Sequence, residues 1–325
     1  MGEDTFFMAC SCPLGSAVGW VDGARVSADT SDRWRAYPIP WDKTNAPAAR
    51  NAVRNTVSRQ AMHRSWFLNN PDCLVLRDGS GCGEFISGFL SPDQVKGCIS
   101  VSVLSGGLLF LTDNLGKLAP PRLKMASTLF PHAFSGCRAV DDGGQGECSE
   151  LLVQHMEAPE GRYDVVALCN WTGAADARAA TLDSMGVTPL SGQIVHAFEW
   201  WSSTCTRGWA GTLSCASVPA HSARVFALRV RDESHAVYLG SDLHMSCGKE
   251  LAGWRSWKGG FEARVELGRH GEGNIWFYIP SGDVPKMSGT ACAGEQAIRA
   301  DDSREGTWCV RVSVEPGGST LSAKW

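Results

Sequence analysis

The pattern of apolar residues changes near residue 131, and this change constrains the fold more than any other feature of the sequence. Before it, apolar runs of strand length alternate with segments of helical period, which is typical of parallel βα units. After it, Val, Trp, Thr and Phe alternate with polar residues between Gly, Asp and Ser turns, which is typical of antiparallel sheets. The sequence therefore predicts an α/β region followed by an all-β region.

Three strand-then-helix units are visible before residue 131. The first strand is predicted at residues 5–10 (TFFMAC), because an apolar run without polar alternation is typical of a strand covered on both faces. The other strands are predicted at residues 66–69 and 108–112. The helices are predicted at residues 46–64, after Ser91-Pro92-Asp93, and from Pro120-Pro121 to about residue 130. A (β/α)8 TIM barrel needs eight such units, so the sequence predicts only part of one.

Seven runs after residue 131 have the alternation of antiparallel strands. They are residues 163–171, 193–199, 223–230, 236–240, 261–267, 273–279 and 307–314. We expect them to form an antiparallel β-sandwich, or two small ones. The predicted domains are therefore 1–131 for the partial barrel, 132–232 for a β-sandwich and 233–325 for a second β-rich segment. The Gly and Asp cluster at 141–146 is predicted to be a surface turn.

The charge pattern and the spacing of cysteines and histidines argue against several functional classes. The chain has 325 residues and a formal net charge of -4, with Lys and Arg scattered, so we expect no nucleic-acid partner. No apolar run reaches the roughly 20 residues that span a bilayer, and no signal peptide is recognisable, so we expect no membrane association and leave the compartment open. The 13 cysteines include no Cys-x-x-Cys pair and the histidines show no ligand spacing, so we expect neither a disulfide framework nor a metal or other cofactor.

Polar side chains follow each predicted parallel strand, at the end where barrel enzymes carry their reactive groups. Cys10 and then the segment from Arg25 to Asp29 follow the first strand, Asp72 and Cys73 follow the second, and Asp113 follows the third. An arginine four residues before an aspartate could hold a sugar hydroxyl while the aspartic acid protonates a leaving oxygen in a partly desolvated site. Alternatively, Arg25 and Asp29 form a solvated loop pair and Asp72 caps a turn after proline.

Three strings in this half resemble the later barrel strands of family 36 α-galactosidases, and more weakly those of family 27. They are GEDTFFMACSCPLGSAVGWVDGARVSADTSDRW, RNAVRNTVSRQAMHRSWFLNNPDCLVLRD and VLSGGLLFLTDNL. VVALCNWTG, AVYLGSDLHMSCGKEL and GNIWFYIPSG look like the β-rich C-terminal region of the same enzymes, so the resemblance covers nearly all of the chain. Its most specific parts are Asn69-Asn70-Pro71-Asp72 and a Gly-Gly-apolar-Asp strand. The resemblance implies that residues 1–131 are the last three βα units of the barrel.

The resemblance also implies an activity and roles for individual residues. Enzymes of this family are retaining hydrolases of terminal α-galactosides, in which one aspartate is the nucleophile and another the general acid/base. Asp29 matches the acid/base aspartate, and Arg25 matches the residue that binds the sugar or orients the acid. Asp72 and Cys10 match residues of the sugar pocket, and Cys73, next to Asp72, is expected to contact the substrate. The expected ligand is an oligosaccharide or glycoside with terminal α-galactose.

The resemblance implies a role for Asp113, and the residue type suggests one for two tryptophans. Asp113 matches the aspartate that ends the last strand, where we expect a structural role. Trp34 and Trp66 could stack on sugar faces, although packing in the core is the simpler interpretation.

The sequence departs from the family pattern in four places. Asn70 replaces the first aspartate of the motif, Ala28 stands where proline is frequent, and Cys12 occupies a position that is usually small or aromatic. The largest departure is that the family's nucleophile lies on an earlier strand, and nothing before Thr5 could supply it. We therefore expect the nucleophile-bearing half of the barrel to be missing, as in a truncated gene product.

Two other interpretations remain open from the sequence. The protein could transfer galactose, because family 36 folds also host transferases. It could also be a non-catalytic fragment whose β region binds carbohydrate or a partner through exposed tryptophans. The tryptophans that motivate this reading are Trp200, Trp201, Trp209, Trp254, Trp257, Trp276 and Trp308. The oligomeric state is not indicated.

Overall fold

The computed structural model of the chain describes residues 4–35, 46–78, 89–141, 148–209, 211–293, 297–299 and 306–325. Strands dominate these ranges, and helices are few. None of the helices in them combines the length and the hydropathy that a membrane crossing needs. Most of the Gly and Asp cluster predicted as a surface turn, from residue 142 onward, lies outside the described residues.

Short parallel strands and the helices between them form the region up to residue 130. The strands are β1 (Met8–Ala9), β2 (Gly23–Arg25), β3 (Leu68–Asn70), β4 (Cys73–Leu74) and β5 (Phe110–Leu111). The helices are α1 (Leu14–Ala17), α2 (Ala49–Ser58), α3 (Pro92–Leu104) and α4 (Pro120–Ser127). Strands β1, β2 and β3 pair in that order, and β4 pairs with β5, all in parallel. The predicted α/β region is present, but the three expected strands are shorter than predicted, and β2 and β4 were not predicted.

The first strand is not the buried element that its apolar sequence predicts. Only Met8 and Ala9 have strand geometry, and Phe6, Phe7 and Met8 are 52%, 44% and 39% exposed. Among the described residues β1 pairs with β2 alone, so one of its edges and the apolar side chains beside it have no cover. The prediction that residues 5–10 are buried is therefore wrong. Burial of a strand depends on its neighbouring strands and not on composition alone.

Helix α3 begins where the sequence predicts. Ser91 and Gln94 form a capping box: the Ser91 hydroxyl accepts from the Gln94 backbone N–H at 3.2 Å, and the Gln94 side chain accepts from the Ser91 N–H at 2.9 Å. Pro92 occupies the first turn, where its missing N–H costs nothing. This helix start is confirmed because all of its determinants are local.

Helices α2 and α4 end earlier than predicted. The expected helix at 46–64 is helical only from Ala49 to Ser58 and continues as a 3₁₀ turn at Gln60–Met62. In α4 the hydroxyls of Ser127 and Thr128 donate to backbone carbonyl oxygens three residues back, at 2.9 Å each. Such local bonds compete with the regular helical pattern, and the helix stops at Ser127 instead of near residue 130.

The chain from residue 138 to 231 forms a six-stranded antiparallel sheet with order β11-β10-β13-β8-β7-β6 and a separate pair, β12-β9. Its strands are β6 (Arg138–Ala139), β7 (Leu151–Ala158), β8 (Gly161–Asn170), β9 (Asp176–Thr181), β10 (Ile194–Glu199), β11 (Thr204–Arg207), β12 (Thr212–Val218) and β13 (Ser222–Arg231). A short helix, α5 (Leu182–Met185), was not predicted. On β8, Val165 and Ala167 join the core that contains α3, whereas Val166 and Leu168 join the core beneath β9 and β12. The sheet is therefore covered on both faces.

Two four-stranded antiparallel sheets form the rest of the chain, with orders β14-β17-β20-β19 and β15-β16-β21-β18. Their strands are β14 (Val237–Ser241), β15 (Leu251–Trp257), β16 (Gly260–Val265), β17 (Gly271–Tyr278), β18 (Lys286–Ser288), β19 (Ile298–Arg299), β20 (Thr307–Val314) and β21 (Ser319–Lys324). Phe261 and Leu321 from one sheet share a core with Phe277 and Val310 from the other. Side chains from facing sheets thus build one hydrophobic layer.

A fully buried arginine lies where the six-stranded sheet meets strand β14. The Arg229 guanidinium donates to Glu160 Oε1 at 3.0 and 2.7 Å and to the Leu239 carbonyl oxygen at 2.8 Å. Its charged carbon lies 4.5 Å from the ring centre of Tyr163 and 4.9 Å from that of Tyr238. Burial opposes the charge, but Glu160 and the tyrosines outweigh it and raise the pKa of Arg229.

We expect Arg229→Met to lower the free energy of unfolding by about 3–5 kcal/mol, because Glu160 would remain buried without its partner. Urea unfolding followed by circular dichroism measures the change. The double variant Arg229→Met with Glu160→Gln should recover part of the loss. A loss below about 1 kcal/mol, which is the range of exposed pairs, would contradict a buried pair.

Stability should also depend on pH through His244. Its Nε2 lies 2.8 Å from the Pro131 carbonyl oxygen and its Nδ1 lies 2.7 Å from the Ser246 hydroxyl. Burial lowers the pKa of His244 below the ordinary value of 6.5, so the unfolded chain binds a proton more readily than the folded one. The contribution of neutral His244 to the free energy of unfolding is therefore complete above pH 6.5, and it is lost as the pH falls below that value.

We therefore expect the urea midpoint to fall between about pH 7.5 and pH 5.5, with a smaller fall in His244→Gln, which cannot take up the proton. Equal pH dependence in both proteins would assign the effect to other groups.

Candidate active site

Arg25 brings two carboxylates together at the carboxyl ends of β2 and β3. Its Nη2 donates to Asp29 Oδ1, and its Nη1 lies 3.7 Å from Asp72 Oδ1. Arg25 is the last residue of β2 and is paired in register with Asn70, the last residue of β3. The segments that follow the two parallel strands therefore leave from the same edge of the sheet, and their polar side chains meet there.

Asp72 joins the loop after β3 to the loop after β2. Its backbone has a left-handed φ of 70°, and its N–H donates to the Asn70 side-chain oxygen at 2.8 Å. Its Oδ2 accepts from the Thr30 backbone N–H at 2.7 Å, while its Oδ1 faces Arg25. The Asp72 carboxylate thus binds the backbone of Thr30, next to Asp29, and faces the Arg25 guanidinium that Asp29 also contacts.

The electrostatics of the cluster favour charged groups. Burial opposes the charge of Arg25, but Asp29, Asp72 and Cys10 outweigh it and raise the pKa of Arg25. The Asp29 side chain is 55% exposed, so the pair by itself contributes about 0–1 kcal/mol to stability.

A cavity of about 760 Å³ lies beside Arg25 and Asp29. Cys12 and the residues around it line it after β1, and Arg59, Met62 and Trp66 line it from the end of α2 to the start of β3. This volume is within the range of about 300–1,000 Å³ that is typical of small-molecule sites. The cavity therefore presents an arginine, a carboxylate and an aromatic ring to the same space.

Arg59 and Met62 were not predicted as site residues. Arg59 follows the last residue of α2, and its Nη1 donates to the carbonyl oxygen of Val26, just after β2. Nothing in the sequence marks either residue, because their place at the cavity results from the chain's turn back toward β3. Trp66 was considered for sugar stacking, and it is 43% exposed at the cavity.

Neither of the two predicted cysteines lines the large cavity. Cys10 is exposed after β1, and its Sγ lies 3.6 Å from the Ser11 hydroxyl. Cys73 is the first residue of β4 and is half-buried, and burial raises the pKa of its thiol. Cys73 lines a separate narrow crevice with Thr30 and Cys98 and does not line the large cavity. Contact of Cys10 or Cys73 with a substrate stays a prediction.

Asp113 has the structural surroundings expected of it. Its side chain is 3% exposed, and its Oδ2 accepts from the backbone N–H groups of Leu76 and Arg77 at 2.5 and 3.2 Å. Its Oδ1 accepts from the Arg77 guanidinium at 2.8 Å. The carboxylate therefore fixes the chain after β4.

The tryptophans of the β region offer no exposed platform among the described residues. Trp200, Trp276 and Trp308 are buried, and the other four are half-buried. Trp201, for example, donates to the Ser100 hydroxyl at 3.2 Å and so packs against α3. These seven rings therefore do not support the non-catalytic interpretation, which stays a prediction.

Several solved structures have a fold similar to that of this chain. α-Galactosidase I from Mortierella vinacea matches with a TM-score of 0.52 and 16% identity, over 69% of this chain and 58% of that chain. The family 27 β-L-arabinopyranosidase from Geobacillus stearothermophilus matches with a TM-score of 0.50 and 15% identity, over 67% of this chain and 47% of that chain. The α-galactosidase of Saccharomyces cerevisiae solved with raffinose has a TM-score of 0.46 and 15% identity, over 66% of this chain and 60% of that chain.

This chain has a glycoside-hydrolase-like fold. At such low identity the likeness shows the fold alone. The structures are of family 27, so placement of the chain in family 36 stays a prediction. No protein-family model matches the sequence. The chain corresponds to 58% and 47% of the lengths of the first two structures.

We expect Asp113→Ala to lower the free energy of unfolding by about 1–3 kcal/mol, because two N–H donors would lose their acceptor. Urea unfolding measures the loss. Glu272→Ala is the matched control: its carboxylate is 59% exposed, and we expect a change within about 0.5 kcal/mol. Equal effects of the two substitutions would contradict the structural role of Asp113.

Proposed function

We propose that this chain contributes the acid/base side of the active site of a retaining glycosidase that acts on terminal α-galactosides. The observation that supports it most is the cluster of Arg25, Asp29 and Asp72 beside a cavity at the carboxyl ends of parallel strands. Asp29 is the proposed acid/base, Arg25 orients it or binds the sugar, and Asp72 lines the sugar pocket. Cys10 and Cys73 are proposed as further contacts.

The proposed chemistry has two steps with opposite demands on Asp29. In the first step its carboxylic acid gives a proton to the leaving oxygen, and in the second its carboxylate takes a proton from water. Arg25 donates to Asp29 Oδ1 and so orients the carboxyl group. The mechanism also needs a nucleophilic carboxylate about 5–5.5 Å from the acid/base carboxyl group.

The nucleophile is proposed to come from outside the described residues. Among these residues only Asp29 and Asp72 form ion pairs with Arg25, and Asp72 also anchors the Thr30 N–H. The unpaired edge of β1, with the exposed Phe6 and Phe7 beside it, is where further parallel strands would pair. In this proposal residues 1–131 are the last three units of a barrel, and 132–232 and 233–325 are two β domains.

The sugar specificity rests on the sequence resemblance and on the names of the structural neighbours, which are an α-galactosidase and a β-L-arabinopyranosidase. The α-galactosyl and β-L-arabinopyranosyl groups have the same ring configuration, and they differ only in the hydroxymethyl group that galactose carries at C5. Galactose transfer is the second enzymatic candidate, and no contact among the described residues favours it over hydrolysis.

The protein isolated from its source cells should hydrolyse p-nitrophenyl α-galactoside faster than the matching β-L-arabinopyranoside. In that form, Asp29→Asn should lower kcat by about 10²–10⁴ for an alkyl α-galactoside. The loss should be smaller for an aryl galactoside whose leaving group needs no proton. Initial rates on the two classes of leaving group measure the difference.

Asp93→Asn, which changes an exposed carboxylate at the start of α3, is the control and should leave both rates unchanged. Equal losses on both leaving groups would contradict an acid role for Asp29. Galactosyl products with an added acceptor, without free galactose, would favour transfer. Binding of galactose without any turnover would favour a non-catalytic protein.

A further inference from the structure

The segment from Asp29 to Trp34, called the acid loop below, supplies the caps of helix α2. The N-cap residue of α2, Ala48, has no side-chain capping bond. Instead, the backbone N–H groups of Ala48, Ala49 and Arg50 donate to carbonyl oxygens of the acid loop at 3.0, 2.9 and 3.1 Å. The unpaired donors of a helix start need such partners, so α2 and the acid loop fix each other.

The last residue of the acid loop is anchored in the β region. Trp34 is only 8% exposed, and its ring stacks on that of His221 with a centroid distance of 4.5 Å and an interplanar angle of 17°. Trp171 lies on it at 6.1 Å and 15°. Trp171 follows β8 and His221 precedes β13, so both belong to one end of the six-stranded sheet. Trp34 is therefore a packing residue, not a sugar platform at the cavity.

The side chains that receive Trp34 are themselves held. His221 has a left-handed φ of 55°, and its Nδ1 lies 3.1 Å from the Trp171 carbonyl oxygen. The Trp171 indole N–H donates to the Ser149 carbonyl oxygen at 2.9 Å. Helix α3 passes so close that a Cβ on Gly97 would lie 2.7 Å from the His221 carbonyl oxygen. The turn at His221, on which Trp34 stacks, is therefore tightly packed against helix α3.

We propose that Trp34 and His221 are positioning residues, through which the β region holds the acid loop and keeps Asp29 opposite Arg25. The functional part of this inference rests on the proposed role of Asp29, whereas the anchoring does not. The acid loop is held near its start by Asp72 on the Thr30 N–H and at its end by the Trp34 stack. The Asp32 carboxylate also lies 3.5 Å from the partly exposed Arg77 guanidinium, so loss of the Trp34 stack removes the anchor in the β region and leaves the acid loop with its anchors among the parallel strands.

Hydrogen exchange of the whole chain, read by mass spectrometry of peptides, tests the anchoring. We expect His221→Asn to speed exchange of residues 29–34 and of the first turn of α2 by about 10-fold. Asparagine tolerates the left-handed backbone, so the substitution removes the ring and not the turn. Exchange in β20 (Thr307–Val314), in the core of the last two sheets, should not change.

A second pair of variants separates stacking from simple burial. Trp34→Leu keeps an apolar side chain but removes the ring, and we expect the same increase of about 10-fold. Trp34→Phe keeps a ring and should stay within about 3-fold of the unchanged protein. Unchanged exchange in both His221→Asn and Trp34→Leu, or an equal rise in β20, would overturn the anchoring.

The kinetic test uses the protein in the form isolated from its source cells. We expect His221→Asn to lower kcat for an alkyl α-galactoside by about 10-fold with KM unchanged, and to affect the aryl galactoside less, as a displaced acid would. Faster loop exchange with unchanged kcat would overturn the positioning role. If the unchanged protein hydrolyses no glycoside, the proposed function fails and the positioning role fails with it, while the exchange data still decide the anchoring.

Discussion

The close approach of helix α3 to strand β13 determines how the two halves of this chain fit together. A Cβ on Gly97 would lie 2.7 Å from the His221 carbonyl oxygen and 3.0 Å from Cα of Ser222, so the helix can lie there only because this residue is glycine. Ile99 of α3 and Val225 of β13 belong to one hydrophobic core. Since α3 also connects β4 to β5, the same packing sets the parallel strands against the six-stranded sheet.

Local patterns in the sequence predicted what depends on local forces. The capping residues Ser91 and Gln94 place the start of α3, and the change of periodicity near residue 131 separates the parallel strands from the antiparallel ones. Strand β7 was not predicted, because its first residues, Leu151–Val153, are buried in succession and hide the alternation of buried and exposed residues that begins only at Gln154. Phe6 and Phe7 were expected to be buried, but nothing in residues 5–10 reveals that β1 lies at an edge.

Part of the candidate site could be anticipated for the same reason. Arg25, Asp29 and Asp72 were expected near the ends of parallel strands, but β2, which ends at Arg25 and brings them together by pairing with β3, was not predicted. The place of Arg59 at the cavity depends on how the chain returns from α2, which no spacing in the sequence shows. The stack of Trp34 on His221 joins residues from different halves of the chain, and neither residue type predicts the other as its partner.

The start of α2 has a consequence for how this protein could be changed by recombination or design. A helix whose own N-cap side chain accepts hydrogen bonds from its first N–H groups can be moved into another protein with those bonds intact. Helix α2 instead uses carbonyl oxygens of residues 29–34, and that segment in turn depends on Trp171 and His221. The smallest exchangeable module is therefore discontinuous in the sequence. A chimera that joins the parallel strands to a β region from another protein would keep Asp29. It would lose the contacts of Trp34 with Trp171 and His221 that hold residues 29–34.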